Sequence, residues 1–151
     1  MSHDEAMAKI NFGSRDNTRR PMCWDASQYG GFSTATPWIA LHSHQKQINL
    51  KNDQESENSV FRFYQKLLRI RNESNAILYG DFVELSRPED GYFAFTRSND
   101  KETILVICNF EQEAIIDVDG KKEELLLSNY CETEGTYRPF EIRVFKKNRL
   151  G

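Results

Sequence analysis

The sequence predicts a mainly β chain: an antiparallel Greek-key β-sandwich in the C-terminal half, preceded by an irregular, partly helical segment. Three observations predict it. Short runs of β-type residues follow one another after residue 76, separated by tight turns. A single strongly apolar helical repeat covers 59–71. Between residues 14 and 54 almost no period of either kind appears, yet that stretch carries Trp24, Tyr29, Phe32, Trp38, Ile39 and Leu41. Disordered linkers are poor in such side chains, so these expect a packing partner.

Length and charge bound the function. A chain of 151 residues suits one ordinary domain, or one domain with a piece of another. Its 20 basic and 23 acidic residues leave a net charge of −3 and no basic field, which argues against a nucleic-acid partner. Cys23, Cys108 and Cys131 are odd in number and far apart, which fits neither a disulfide framework nor a zinc site. With no leader-like or membrane-length apolar run, a soluble cytoplasmic protein is expected, with no membrane partner. Asn72-Glu73-Ser74 then reads as a coincidental glycosylation acceptor.

The elements follow in order. His3 to Ile10 predicts a short helix, with Ser2 as N-cap and Glu5 three residues on completing a capping box, and Gly13 ending it. Ser59 to Arg71 predicts the main helix. Val60, Phe61, Tyr64, Leu67, Leu68 and Arg71 share one face, and Phe63 and Ile70 widen it. A helix this apolar needs a broad partner. Strands are expected at Gly80 to Leu85, at Tyr92 to Arg97 after the Glu89-Asp90-Gly91 turn, and at Thr103 to Asn109 as a buried central strand. Ala114 to Val118 is expected to pair with Glu123 to Leu127 across Asp119-Gly120. Glu141 to Phe145 closes the set after a turn at Pro139. Phe93 and Phe95 share a strand face, expected to be core.

Most chemical motifs fail on inspection. His42 and His44 could share a face, but zinc needs three or four converging ligands and no second cluster appears. Asp117-Val118-Asp119-Gly120 opens like a calcium loop, but Ser128 stands where its closing glutamate should be. No phosphate-cradling or dinucleotide motif occurs, and no cofactor or metal is expected. Cys108 reads as core. No Asp or Glu sits in a pattern that would raise its pKa opposite a second acid, so no catalytic pair is assigned. What remains is SRDNTRRPMCWD, residues 14–25, with Arg15, Arg19 and Arg20 close to Trp24. Forked guanidinium donors suit hydroxyl pairs, and an aromatic suits the apolar face of a sugar. An arginine paired with Asp16 that simply braces the loop fits as well.

This segment closely resembles the SRDNxRTPMQWD motif of α-glucosidases in the α-amylase superfamily (glycoside hydrolase family 13). The nearest subgroup holds oligo-1,6-glucosidase, dextran glucosidase and trehalose-6-phosphate hydrolase. The resemblance continues through Gly31-Phe32, Thr36-Pro37-Trp38-Ile39, Asn49, Phe63-Tyr64-Gln65-Lys66-Leu67, Ile70-Arg71 and Tyr79-Gly80-Asp81. It ends with Leu126-Leu127-Ser128-Asn129-Tyr130 and Arg138-Pro139-Phe140-Glu141.

The resemblance implies that residues 1–75 are the end of a catalytic (β/α)8 barrel, its last loop and last helix, and that 76–151 are the C-terminal sandwich. It implies a parent enzyme that hydrolyses α-glucosidic bonds, α-1,6 above all, in short oligosaccharides with retention. The nucleophile and acid of that enzyme lie in segments not present here, so the chain alone is expected to be inactive. Arg15 matches the arginine that reaches the sugar at the −1 subsite, and Arg19 a second arginine lining it. Asp16, Asn17, Pro21 and Trp24 match loop-shaping positions. Arg20 stands where Thr is usual and Cys23 where Gln is usual. The expected partners are an α-glucosidic oligosaccharide and the missing barrel, whose absence could drive oligomerisation or domain swapping. The competing expectation is a stand-alone β-sandwich module that binds carbohydrate or protein.

Overall fold

Helix α1 spans His3–Gly13 in the computed structural model, which describes residues 1–13, 16–118, 124–131, 133 and 135–148, the side chains of 11–17 excepted. Its capping box forms as the spacing predicts. Glu5 N donates to Ser2 Oγ at 3.2 Å, and Ser2 N donates to the Glu5 carboxylate at 2.8 Å. The chain divides into two compact units, Met1–Phe61 and Arg62–Gly151.

The first unit is built from turns that close on themselves. Trp24 N donates to Gly30 O at 2.7 Å, sealing the loop over 24–30. Leu50 N and Lys51 N return to Cys23 O and Trp24 O, both at 3.0 Å, which fixes the start of α2 (Leu50–Glu55) against that loop. The α2 N-cap is the buried Asn49, whose Oδ1 accepts from Asn52 N at 3.0 Å. At the far end Asp53 takes three donors in a row: Ser59 Oγ at 3.0 Å, Val60 N at 3.0 Å and Phe61 N at 2.8 Å. It thereby caps α3, Val60–Glu73, from outside the helix.

The second unit is an antiparallel five-stranded sheet. Strands β1 (Asp81–Glu84), β2 (Tyr92–Ser98), β3 (Glu102–Asn109), β4 (Glu124–Ser128) and β5 (Ile142–Asn148) lie in the order β1-β2-β3-β5-β4. The near-continuous apolar run of β3 makes it the central strand, as expected, because both of its faces are covered. Leu105 and Ile107 join Ala94, Ile116, Tyr137 and Phe145 on one face. Ile104 joins Ala76, Leu127 and Val144 on the other. Both edge strands are guarded. Short β1 begins and ends on an acid, and β4 carries a bulge between Leu125 and Leu127.

The layers on the two faces differ in kind. On the Ile104 face lie α3, through Phe63, Leu67 and Ile70, and α4 (Asn75–Tyr79), through Ala76 and Ile77. Glu102 on β3 locks α4 in place, accepting from Ser74 Oγ at 2.6 Å, Ala76 N at 3.3 Å and Lys146 Nζ at 2.9 Å. At the C-cap of α4, a Cβ on Gly80 would lie 2.4 Å from Ser98 O, so only glycine lets helix and strand approach this closely. On the opposite face the second layer is irregular backbone around 114–118 and 135–137, joined by one bridge between Ala114 and Tyr137.

Four expectations are corrected here. Residues 114–118 do not pair with β4. The β4 strand pairs with β5, and the Asp119-Gly120 turn lies outside the described residues. The face of Phe93 and Phe95 is only half-buried, whereas Ala94 between them is fully buried. Third, the α3 side chains on the sheet are Phe63, Leu67 and Ile70. Val60, Phe61, Tyr64 and Leu68, named as the principal apolar face, are exposed. Cys108, expected as core, is half-buried.

Two motifs distant in sequence meet beside β5. Asn129 Nδ2 donates to Phe140 O at 2.9 Å, and its Oδ1 accepts from Ile142 N at 2.8 Å. Tyr130 Oη donates to Pro139 O at 3.2 Å, and the Arg138 guanidinium lies 5.0 Å from the Tyr130 ring. Behind them Glu141 and Arg143 form a buried ion pair at 2.6 Å. Arg143 also donates to Thr136 O at 2.8 Å and stacks 3.9 Å from the Tyr137 ring centre. Desolvation raises the Glu141 carboxyl, but the hydrogen bonds from Arg143 and from Arg138 N outweigh it, so its pKa is lowered.

Candidate functional site

The arginine-rich loop begins with a 3-10 turn over Asp16–Arg19. Arg15, the first candidate, lies outside the described residues, as does Ser14. Arg19 ends the turn with its side chain exposed and its guanidinium 5.0 Å from the Trp38 ring centre. That contact places the charged group over an aromatic face. Trp38 itself is 80% exposed. Among the described residues Arg19 has no carboxylate partner, which leaves its donors available. Arg20 turns elsewhere and reaches Leu41 O at 3.3 Å.

The backbone behind this pair is tightly specified. Tyr29, Gly30 and Gly31 all lie in the left-handed region, at φ 57°, 63° and 67°. The left-handed φ favours glycine at 31, and a Cβ there would press on the Asp25 carboxylate at 3.0 Å. Asp25 accepts from the Ser27 hydroxyl and from Ser27 N at 2.8 Å, and these bonds lower its pKa. Tyr29 Oη meets Thr36 Oγ1 at 3.0 Å across the loop. Cys23 is buried, with Sγ 3.8 Å from Pro21 O, so it supports the loop and does not line an open pocket. Trp24 and Phe32 are half-exposed, at 49% and 52%.

The remaining sequence candidates do not assemble a second chemistry here. His44 N donates to His42 Nδ1 at 3.1 Å and the two rings stand 5.1 Å apart. Among the described residues no group of three metal-ligating side chains converges. Among those residues, too, no helix is long and apolar enough to cross a membrane. Trp38 was legible only as an aromatic lacking a partner. Its role beside Arg19 depends on a loop that carries no period.

The comparisons with known proteins agree with this loop. A family model described as alpha amylase, catalytic domain, matches residues 1–80. The chain belongs to the α-amylase family. Among curated relatives of this α-amylase-family chain, an oligo-1,6-glucosidase of Halalkalibacterium halodurans is 38% identical over 95% of the chain and 28% of its own length. A trehalose-6-phosphate hydrolase of Bacillus subtilis is 36% identical over 97% of the chain and 28% of its own length. The chain therefore spans just over a quarter of each. In fold, it superposes on an isomaltulose synthase from Klebsiella sp. LX3 with a TM-score of 0.85, at 24% identity, covering 99% of the chain and 28% of that structure.

Proposed function

We propose that this chain is the C-terminal portion of an α-glucosidase that hydrolyses α-1,6-glucosidic bonds in short oligosaccharides with retention. In this reading residues 1–75 are the end of the catalytic barrel and 76–151 the C-terminal β-domain. The observation that carries it is the combination of oligo-1,6-glucosidase relatives along nearly the whole chain with an exposed, aromatic-backed Arg19 in the loop where that resemblance is densest. The Arg19 guanidinium donates in parallel to vicinal sugar hydroxyls, and Arg15 is its partner at the same glucose unit. Trp38 fixes the approach of Arg19. The carboxylate nucleophile and the acid come from the barrel portion, so this chain alone binds weakly and releases no glucose. Placement in the cytoplasm accompanies this reading.

The exposed face of α3 supports the same reading. Val60, Phe61, Tyr64 and Leu68 are between 38% and 64% exposed on a helix whose other face already packs on the sheet. A helix apolar on both sides is one that sits between two bodies.

A chimera tests the proposal. The corresponding C-terminal part of the H. halodurans oligo-1,6-glucosidase is replaced by this chain, and glucose release from isomaltose is followed. Activity is expected, with Arg15→Ala and Arg19→Ala each lowering kcat/KM at least about tenfold, the loss of one charge-assisted hydrogen-bond set. A folded chimera without activity, or one indifferent to both substitutions, would sink the idea. Glucose release by the isolated chain would refute the assignment of both carboxylates to the barrel.

A further inference from the structure

We propose that Arg20 is a positioning residue for the arginine loop: it holds the 37–41 segment in place, so that Trp38 stays against Arg19. Two neighbouring arginines reach this one segment. Arg19 sets its guanidinium 5.0 Å from the Trp38 ring centre, and Arg20 Nη1 donates to Leu41 O at 3.3 Å. Among the described residues, that is the one hydrogen bond that residues 37–41 make. Before them, Thr36 Oγ1 meets Tyr29 Oη at 3.0 Å. After them, the next backbone bond runs from Gln45 N to His42 O at 3.1 Å. Between those ties neither helix nor strand fixes the backbone. Trp38 is 80% exposed, so packing within this chain does not hold it either.

The chemistry of the tie suits its place. The Leu41 side chain already packs on the buried Gly30, where an added Cβ would lie 2.8 Å from Leu41 Cδ2. Arg20 fixes the backbone of the same residue. Without that bond, the Leu41 side chain alone anchors this end of the segment, and Trp38 is free to swing away from Arg19. Arg20 precedes Pro21, whose ring restricts the backbone of the residue before it, so the donor starts from a narrowed set of conformations. A guanidinium keeps its charge at any working pH and carries several N–H donors, which suits a carbonyl that water also contests. The threonine usual here in the motif that this segment resembles ends in a short hydroxyl, which does not span to Leu41 O with the backbone as it stands. The tie is therefore a feature of this chain. Since its Nη1 is engaged by the backbone, Arg20 acts through Trp38 and Arg19, by removing disorder that a bound ligand would otherwise have to remove. The link to sugar binding rests on the function proposed above. The coupling of Arg20 to Arg19 does not.

The experiment is isotope-labelled NMR of the full chain, reading the Arg19 side-chain shifts that the Trp38 ring current displaces. Trp38→Ala marks their value with the ring gone. Arg20→Thr is expected to move them toward that value although Arg19 and Trp38 are both intact. Arg20→Lys, which keeps a cationic donor of similar reach, is expected to move them less. Arg20 is exposed, so the rest of the amide spectrum is expected to persist. Unmoved Arg19 shifts in Arg20→Thr would overturn the inference, and so would equal displacement by threonine and lysine. A general loss of dispersion across the first unit in both variants would assign Arg20 to bracing the fold and overturn it too. In the chimera, Arg20→Thr is expected to lower kcat/KM about threefold, carried by KM, and to add nothing once Arg19→Ala is present. A full, independent loss in that background would overturn the route through Arg19. An inactive chimera counts against the proposed function alone, because the NMR displacement is read without substrate.

Discussion

Replacing Glu141 by Gln tests the energetic logic of the sheet unit most directly. The side chain is fully buried, its partner Arg143 is 2% exposed, and the two meet at 2.6 Å. Glutamine keeps the volume and can still accept from Arg138 N, which Glu141 now holds at 2.9 Å. It removes the negative charge, so the buried guanidinium faces a neutral amide oxygen in place of a carboxylate, beside the Thr136 carbonyl, the distant Gly135 carbonyl and the Tyr137 ring. Breaking one side of a buried pair costs about 3–5 kcal/mol, a large share of the ~5–15 kcal/mol that holds a domain together. For a unit of this size a loss of 3 kcal/mol lowers Tm by roughly 12–24 °C. Urea denaturation followed by far-UV circular dichroism, with Tm by calorimetry, reads both quantities. A double-mutant cycle with Arg143→Met should recover part of the loss, since the uncompensated charge disappears with it. The pH dependence carries a fixed sign. The folded pKa of Glu141 is lowered, so its contribution is complete above the unfolded glutamate value of about 4.3 and is lost as pH falls through the folded value below it. Wild-type stability should therefore drop on acidification below about pH 4, and the variant should drop less steeply. A cost under about 1 kcal/mol, or an unchanged acid limb, would refute the reasoning.

Other outcomes follow from single contacts. Gly31→Ala forces a Cβ against Asp25 at a φ of 67°, so the first unit should lose about 1–2 kcal/mol and residues 24–50 should become the preferred site of limited proteolysis. Leu67→Lys buries a charge against the sheet and should unfold the second unit at lower urea, by about 2–4 kcal/mol. Leu68→Lys, one residue on but exposed, should leave this chain within about 0.5 kcal/mol of wild type and yet abolish activity of the chimera. Equal effects of the two lysines on the isolated chain would show that α3 does not separate its faces as described.

The contrast between Leu67 and Leu68 explains what the sequence could and could not convey about the fold. Periodicity located α3 to within two residues at its C-terminal end, because a long apolar repeat is a local signal. It could not rank the faces. Both are apolar, and which one meets the sheet is decided by Ile104, Val144 and Leu127, far along the chain. Helix α4 was missed for a related reason. Five residues carry too little period, and its start depends on Glu102, 26–28 residues away. The capping box of α1 was legible because both partners lie within three residues. At 114–118 the apolar run was real, but only Ala114 enters a β-bridge, while Ile116 sinks into the core and Ile115 is 84% exposed. Alternation signals which side chains go inward. It does not say whether a neighbouring backbone is there to pair.

Phe93, Ala94 and Phe95 turn that limit into an argument about function. Side-chain size alone assigns the phenylalanines to the core and the alanine to the surface, whereas the sheet buries Ala94 fully and leaves Phe93 and Phe95 half-buried. Strand β2 is set by its register on β3, where Ala94 faces Ile107 while Phe93 and Phe95 face Cys108 and Val106. Tyr137 and Ile116 close over the Ala94 side and fill it, so a small residue suffices there. The phenylalanines lie on the Ile104 face, the one on which α3 and α4 pack, and stay half-buried there. Large aromatics on a half-open sheet face are costly to leave in water. The same reasoning applies to Trp38 over Arg19, in a loop whose backbone is fixed by Asp25, Gly30 and Gly31 and not by apolar periodicity. In both places the folding pattern leaves the side chains unexplained, and for Trp38 with Arg19 the partner proposed above is a sugar.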